Sequence, residues 1–324
     1  MHTMPHSPKN ILSLRFPDDW RSKSGWLETA HHAARLLRRD VANASPQQVR
    51  LAIEMASRLN PGPWGGEFHE VREENWRGAV VTWKEHDEGT IVWMHGGAFA
   101  FGSPRVYRAV ATHLARATRC KVVLPSYRLA PEHVHPTAHD DAQRALEVWL
   151  HREPSLVLVG DSAGGNLAAS AVAAVIENNP QLAAKLRGLA LLSPWCDLRP
   201  EALSLVQNRI DHSPFDGEDS WAYSQTYLAG QPSDDASVSP ILMNFSSLWP
   251  ETYMEWALDE FLAPDIERWA ERMKSQQVAL TTRTEPMAVH GWQMLPDVLP
   301  EAVRSVKALG AWIRTRLELA STPR

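Results

Sequence analysis

Residues 156–171 read LVLVGDSAGGNLAASA. Leu156 to Val159 form a short apolar run of the kind that makes a buried strand. Gly160 to Gly165 follow as a turn. From Leu167 an alanine-rich run continues to Ile176 with the character of a buried helix. The strand–turn–helix places Ser162 at its centre, and Gly160-Asp161-Ser162-Ala163-Gly164 fits the G-x-S-x-G pattern of a nucleophile elbow. A turn this sharp strains the backbone at the serine, and its glycines let neighbouring segments approach. The helix N-terminus behind it offers unbonded N–H groups and a positive dipole end. An ordinary glycine turn is the competing reading, and the flanking strand and helix count against it.

Working outward, short apolar runs recur at Thr90–Met94, Lys121–Leu124 and Leu189–Leu192. Helical patterns such as Asp141–Leu150 and Leu167–Ile176 separate most of them. Phe68–Val71 and Ala79–Trp83 read as an early antiparallel pair. Thr252–Trp256 and Val278–Thr282 read as late strands around a helical APDIERWAERMKSQQ, and a last helix is expected from Pro300 to Leu319. The fold class is therefore α/β, a mostly parallel sheet with helices on both faces. Two helices precede it. Leu27, Ala30, Ala34, Leu37 and Val41 mark the first. Ser45-Pro46 opens the second, which carries Val49, Ala52, Ile53, Ala56 and Leu59 and stops at Asn60-Pro61-Gly62-Pro63. A long, irregular insertion runs from about Asp197 to Val238.

Composition narrows the class. The chain has 324 residues, 44% of them hydrophobic, and a formal net charge of −5 with both signs dispersed. No basic stripe of a nucleic-acid binder is present. The longest apolar stretch, near Ala168–Ile176, is too short to span a bilayer. The start MHTMPHSPKN lacks an apolar core and a cleavage site, and two cysteines, Cys120 and Cys196, do not make a disulfide framework. A soluble, cytoplasmic protein is expected. The fourteen tryptophans read first as core packing and second as an aromatic-lined pocket.

A second glycine turn follows an upstream strand, at Trp93-Met94-His95-Gly96-Gly97-Ala98-Phe99. Backbone N–H groups of Gly97 and Ala98, with that of Ala163, would make an oxyanion hole. His95 is expected to hold this loop by hydrogen bonds. His133, His135, His139, Asp140 and Asp141 invite a metal reading. Their spacing is weaker than a ligand set of separated Cys and His pairs, and no metal or cofactor is expected. Asp197, Asp216 and Asp265 are expected to cap or face solvent.

Three blocks together carry a family resemblance: His95–Phe99, YRLAPEH over Tyr127–His133, and Gly160–Gly165. The chain resembles the hormone-sensitive-lipase-like esterases (bacterial family IV, GDXG) of the α/β-hydrolase fold. Weaker similarity runs through Ser193-Pro194-Trp195 to the C-terminal helix. Ala98 stands where many members have glycine. The resemblance implies a Ser–acid–His order, with His290 in EPMAVHGWQML as the base, although that segment lacks the usual glycine. For the acid, TYMEWALDEFL resembles a subgroup with glutamate two residues before leucine. That points to Glu260, with Asp259 as the alternate and Ala257 in place of a glycine. Tyr127, Arg128 and Glu132 would brace the oxyanion loop.

By the same resemblance, residues 1–63 supply cap helices over a catalytic core at 64–324, with a further cap insertion at about 197–238. Phe99, Trp195, Trp221 and Trp292 are candidate pocket walls. The implied activity is hydrolysis of small to medium carboxylic esters through an acyl-enzyme on Ser162, without cofactor. The same triad would also serve a lactone, an amide or an acetylated small molecule. A non-catalytic ligand receptor on the same fold is the reading from another class. A small-molecule ester is the expected partner, and the resemblance leaves a homodimer open.

Overall fold

The computed structural model describes residues 44–318, apart from 59, 61, 85–88, 203–216 and 287. The helix expected around Leu27–Val41, and Asp216, lie outside the described residues. The second expected helix is α1, Pro46–Ser57. Gln48 N donates to Ser45 Oγ at 3.3 Å, and Ser45 N donates to Gln48 Oε1 at 2.8 Å. This reciprocal capping box is worth about 1 kcal/mol to a helix start.

The chain then forms β1 (Gly66–Arg72), β2 (Arg77–Trp83), β3 (Thr90–Met94), α2 (Arg108–Thr118), β4 (Lys121–Pro125) and α3 (Thr137–Arg152). It continues through β5 (Leu156–Asp161), α4 (Ala163–Asn178), the short α5 (Pro180–Ala183) and β6 (Leu186–Leu192). The remaining elements are α6 (Gly217–Leu228), β7 (Thr252–Ala257), α7 (Ala263–Ser275), β8 (Leu280–Glu285) and α8 (Pro300–Arg316). Two expectations are corrected. The insertion is not irregular throughout, because α6 lies within it. The last strand begins two residues later than its apolar start at Val278, which packs against the core instead.

The strands make one sheet in the order β1-β2-β4-β3-β5-β6-β7-β8. β2 is antiparallel to both β1 and β4, and the pairs from β4 through β8 are parallel. Every residue of β3, β5 and β7 is buried, as strands covered on both faces must be. The end strands differ: β1 alternates, and β8 exposes Thr281, Thr282 and Thr284. One face packs on α3, α4 and α7 through residues such as Leu146, Leu167 and Trp269. The other packs on α2 and α8 through Leu114, Leu309 and Ile313. Among the described residues, no helix is long and apolar enough to cross a membrane.

Topology places the site. From β3 the chain crosses to β4 on one side, then returns to β5 on the other. Such a switch opens a crevice at the carboxyl ends of the strands. The turn after β3 and the turn after β5 meet there.

Candidate active site

Ser162 is the hinge of the β5–α4 turn, with φ 51° and ψ −123°. A non-glycine residue in this region is strained and must be held by its surroundings. Here Ser162 N donates to Leu192 O at 3.0 Å, and Trp195 N donates to Ser162 O at 2.9 Å. The end of β6 thus grips the serine from both sides. At Gly164, a Cβ would lie 2.1 Å from Met94 O and 2.3 Å from His95 O. Only glycine lets α4 start this close to the loop after β3.

His290 Nε2 lies 3.0 Å from Ser162 Oγ, and its Nδ1 lies 3.4 Å from Glu260 Oε1. Glu260 is fully buried, whereas Asp259 is exposed. The other oxygen of Glu260 accepts from Ser193 Oγ at 2.7 Å and Ala257 N at 3.2 Å. A buried carboxylate needs such donors. Phe261 covers the imidazole edge-on, with ring centroids 5.2 Å apart.

The loop after β3 is built from a second buried carboxylate. Asp161 Oδ1 accepts from Trp93 Nε1 at 2.8 Å and Gly96 N at 3.1 Å, and its Oδ2 accepts from Tyr107 Oη at 2.6 Å. Burial pushes the Asp161 carboxyl up to about 6, against the pull of these donors. His95 Nδ1 lies 2.9 Å from Gly96 O, and Tyr127 Oη donates to His95 O at 2.5 Å while stacking on the ring. Burial drives the His95 imidazole down to about 4, so it is neutral. Gly97, Ala98 and Phe99 then run through positive φ (121°, 51° and 58°). The N–H groups of Gly97, Ala98 and Ala163 bond to no acceptor among the described residues.

Asp161 and Tyr107 escaped the sequence reading. The available signal was an acid ending an apolar strand, because a charge buried there must find partners. The expected brace is divided differently. Tyr127 holds His95. Arg128 instead pairs with Asp141 through its Nε and Nη2, each at 2.8 Å. Glu132 pairs with Arg50 of α1, which also donates to Ala100 O at 2.7 Å and Ala130 O at 2.5 Å.

The candidate pocket walls separate on burial. Phe99 and Trp292 are fully buried. Phe99 stacks face to face on Tyr227, with centroids 4.1 Å apart. Trp292 packs among Ala257, Ala288, Val289 and Leu299. Both rings pack within the core. Trp195 is buried against Phe99, and Trp221 is half-buried on α6.

The histidine cluster has a structural occupant. Asn166 Nδ2 donates to Trp195 O at 2.9 Å and Val238 O at 2.8 Å, which turns its Oδ1 toward His139 Nε2 at 3.1 Å. His139 therefore carries its proton on Nε2, and Tyr227 Oη donates to Nδ1 at 2.5 Å. Burial lowers His139 to about 3. Among the described residues no three His, Cys, Asp or Glu side chains are grouped to hold a metal. Asp197 is buried and not solvated, and it caps the turn that follows, accepting from Arg199 N at 3.1 Å and a fork from the Arg199 guanidinium at 2.8 and 2.7 Å. Asp265 is also buried, in the first turn of α7 near Arg268.

A family profile describing the alpha/beta hydrolase fold matches residues 91–294. The chain belongs to the α/β-hydrolase family. This α/β-hydrolase is similar to an acetyl-hydrolase of Streptomyces hygroscopicus, 30% identical over 71% of this chain and 76% of that one. It is equally similar to an esterase of Acinetobacter venetianus, 30% identical over 86% of this chain and 91% of that one. Among solved structures, an esterase from the bacterial hormone-sensitive lipase family superposes with a TM-score of 0.83 at 25% identity. That match covers 91% of this α/β-hydrolase and 99% of its counterpart. The family resemblance carried by the three sequence blocks thus extends to the fold.

Proposed function

We propose that this α/β-hydrolase is a serine carboxylesterase in which Ser162, His290 and Glu260 act as nucleophile, base and acid. The observation that carries the reading is the relay from Ser162 Oγ to His290 Nε2 at 3.0 Å and from His290 Nδ1 to Glu260 Oε1 at 3.4 Å. His290 takes the hydroxyl proton as Ser162 attacks the ester carbonyl. Glu260 holds the imidazole tautomer and stabilises the imidazolium without itself becoming protonated. The Nδ1–Oε1 separation shortens as that charge develops, because charged hydrogen bonds are the shorter kind.

The Gly97, Ala98 and Ala163 N–H groups receive the oxyanion, assisted by the α4 N-terminus. His290 then protonates the leaving alcohol. Water, deprotonated by His290, releases the acid and restores Ser162. Small to medium esters are the proposed substrates, and similarity to an acetyl-hydrolase supports the small-acyl end of that range. The helix α1 and the insertion that carries α6 form a cap over this site in the proposed division of the chain. A reducing cytoplasm suits Cys120 and Cys196, which are buried and not joined in a disulfide.

The test is labelling by a fluorophosphonate probe, combined with an acyl-length series of p-nitrophenyl esters, lactones and anilides. Labelling that is lost in Ser162→Ala, with turnover greatest on short-chain esters, is the expected result. An unlabelled wild-type chain overturns the reading.

A further inference from the structure

The segment after β6 does more than end a strand. Leu192 and Trp195 hold the backbone of Ser162 from both sides, at 3.0 and 2.9 Å. Between them lies Ser193, 1% exposed and strained at φ 45°. Its N–H donates to Glu255 O of β7 at 2.7 Å. Its hydroxyl donates to Glu260 Oε2 at 2.7 Å, the oxygen not facing His290. Three residues therefore tie the nucleophile, the β7 backbone and the acid into one short rigid span. The strain at Ser193 requires an explanation, since a side chain in this region persists only when neighbours over-determine it. Both of its polar ends are committed, one to each side of the β7 turn.

We infer that Ser193 is a positioning residue, which aims the Glu260 carboxylate at His290 and fixes it relative to Ser162. Without the hydroxyl, Oε2 keeps only the Ala257 N–H among the described residues, at 3.2 Å. The carboxylate can then rotate away from Nδ1. Burial of Ser193 beneath the acid means that it touches no substrate, so its loss acts on kcat and leaves KM nearly unchanged. This rests on the triad reading above.

The experiment measures the rate of Ser162 labelling by a fluorophosphonate probe, and kcat and KM on p-nitrophenyl acetate. The chains compared are wild type, Ser193→Ala, Ser193→Gly, Glu260→Ala and the double variant Ser193→Ala/Glu260→Ala. Ser193→Ala and Ser193→Gly are each expected to slow labelling and lower kcat by roughly 10- to 100-fold, the worth of a hydrogen bond to a charged group. KM should stay within about 2-fold. In the Glu260→Ala background, Ser193→Ala should cost less than about 2-fold more, because residues acting through one another are not additive.

Glycine relaxes the positive φ, so it carries the comparison if alanine prevents folding, and it separates backbone strain from the hydroxyl. Wild-type rates in the glycine variant overturn the inference, as does an equal loss with Glu260 already removed. An unlabelled wild-type chain overturns the triad reading itself. A labelled wild type with indifferent Ser193 variants overturns only the role of Ser193.

Discussion

Glu260 lies fully buried with one carboxylate oxygen 3.4 Å from His290 Nδ1, while its chain neighbour Asp259 is exposed. Adjacent acids thus have opposite environments. Glu260→Gln should lower kcat by roughly 100- to 10,000-fold, because it disturbs both the tautomer and the developing imidazolium. Asp259→Asn should change it by no more than about 2-fold, as surface substitutions do. Steady-state kinetics on p-nitrophenyl acetate checks both, and the reverse ranking would transfer the role to Asp259.

Close approach of α4 to the loop after β3 makes a steric prediction. A Cβ at Gly164 would meet Met94 O at 2.1 Å and His95 O at 2.3 Å, both rigid backbone atoms. Gly164→Ala should cost at least about 3 kcal/mol, the upper end of overpacking costs. It should also depress turnover by shifting the loop after β3. Urea unfolding followed by tryptophan fluorescence reads the first effect. Wild-type stability in this variant would mean that the two segments do not touch.

Three buried groups set a pH dependence of stability. Folding holds His95 down to about 4 and His139 down to about 3, both by burial. Between those values and about 6.5 the unfolded chain binds two protons there that the folded chain refuses, so stability falls as pH falls. Asp161 has the opposite sign. Raised to about 6 by burial, it is protonated in the folded chain and ionised in the unfolded one from about 4 to 6. Its contribution falls as pH rises through that window. Near pH 5 the three leave a net uptake of one proton on unfolding, about 1.4 kcal/mol per pH unit. Replacing the carboxyl, as in Asp161→Asn, should steepen the slope toward two protons. Unfolding free energies measured from pH 4.5 to 6 test this, and an unaltered slope would show that Asp161 titrates normally.

The Arg50 guanidinium joins α1 to the loop after β3 through Ala100 O, and to the loop after β4 through Ala130 O and the Glu132 carboxylate. Its neighbourhood holds the Glu132 carboxyl down at about 2. Glu132 is itself exposed, so the ion pair contributes little and the two carbonyl bonds dominate. Arg50→Met should cost about 1–3 kcal/mol and lower the melting midpoint by roughly 2–6 °C. Glu132→Gln should move it by less than about 1 °C. Differential scanning calorimetry ranks the two, and equal losses would give the ion pair the larger share.

Much of this molecule was legible without coordinates, for local reasons. The apolar runs of β3, β5 and β7 announce doubly covered strands. Gly96, Gly97, Gly164 and Gly165 mark where backbone must approach backbone. His290 and Glu260 are placed by the family resemblance, but the strand–turn–helix around Ser162 marks its elbow directly. Such signals depend on neighbours within a few residues, so a sequence displays them. Which acid turns inward at the end of β7 could not be read this way, since a shift of one residue in a turn exchanges Glu260 for Asp259. Nor could the burial of Phe99 and Trp292, or the bonds of Asp161 to Tyr107 and of Ser193 to Glu260. These join residues 54 to 67 positions apart. Only the packed sheet brings them together, and only burial makes an unpartnered carboxylate costly enough to fix their geometry.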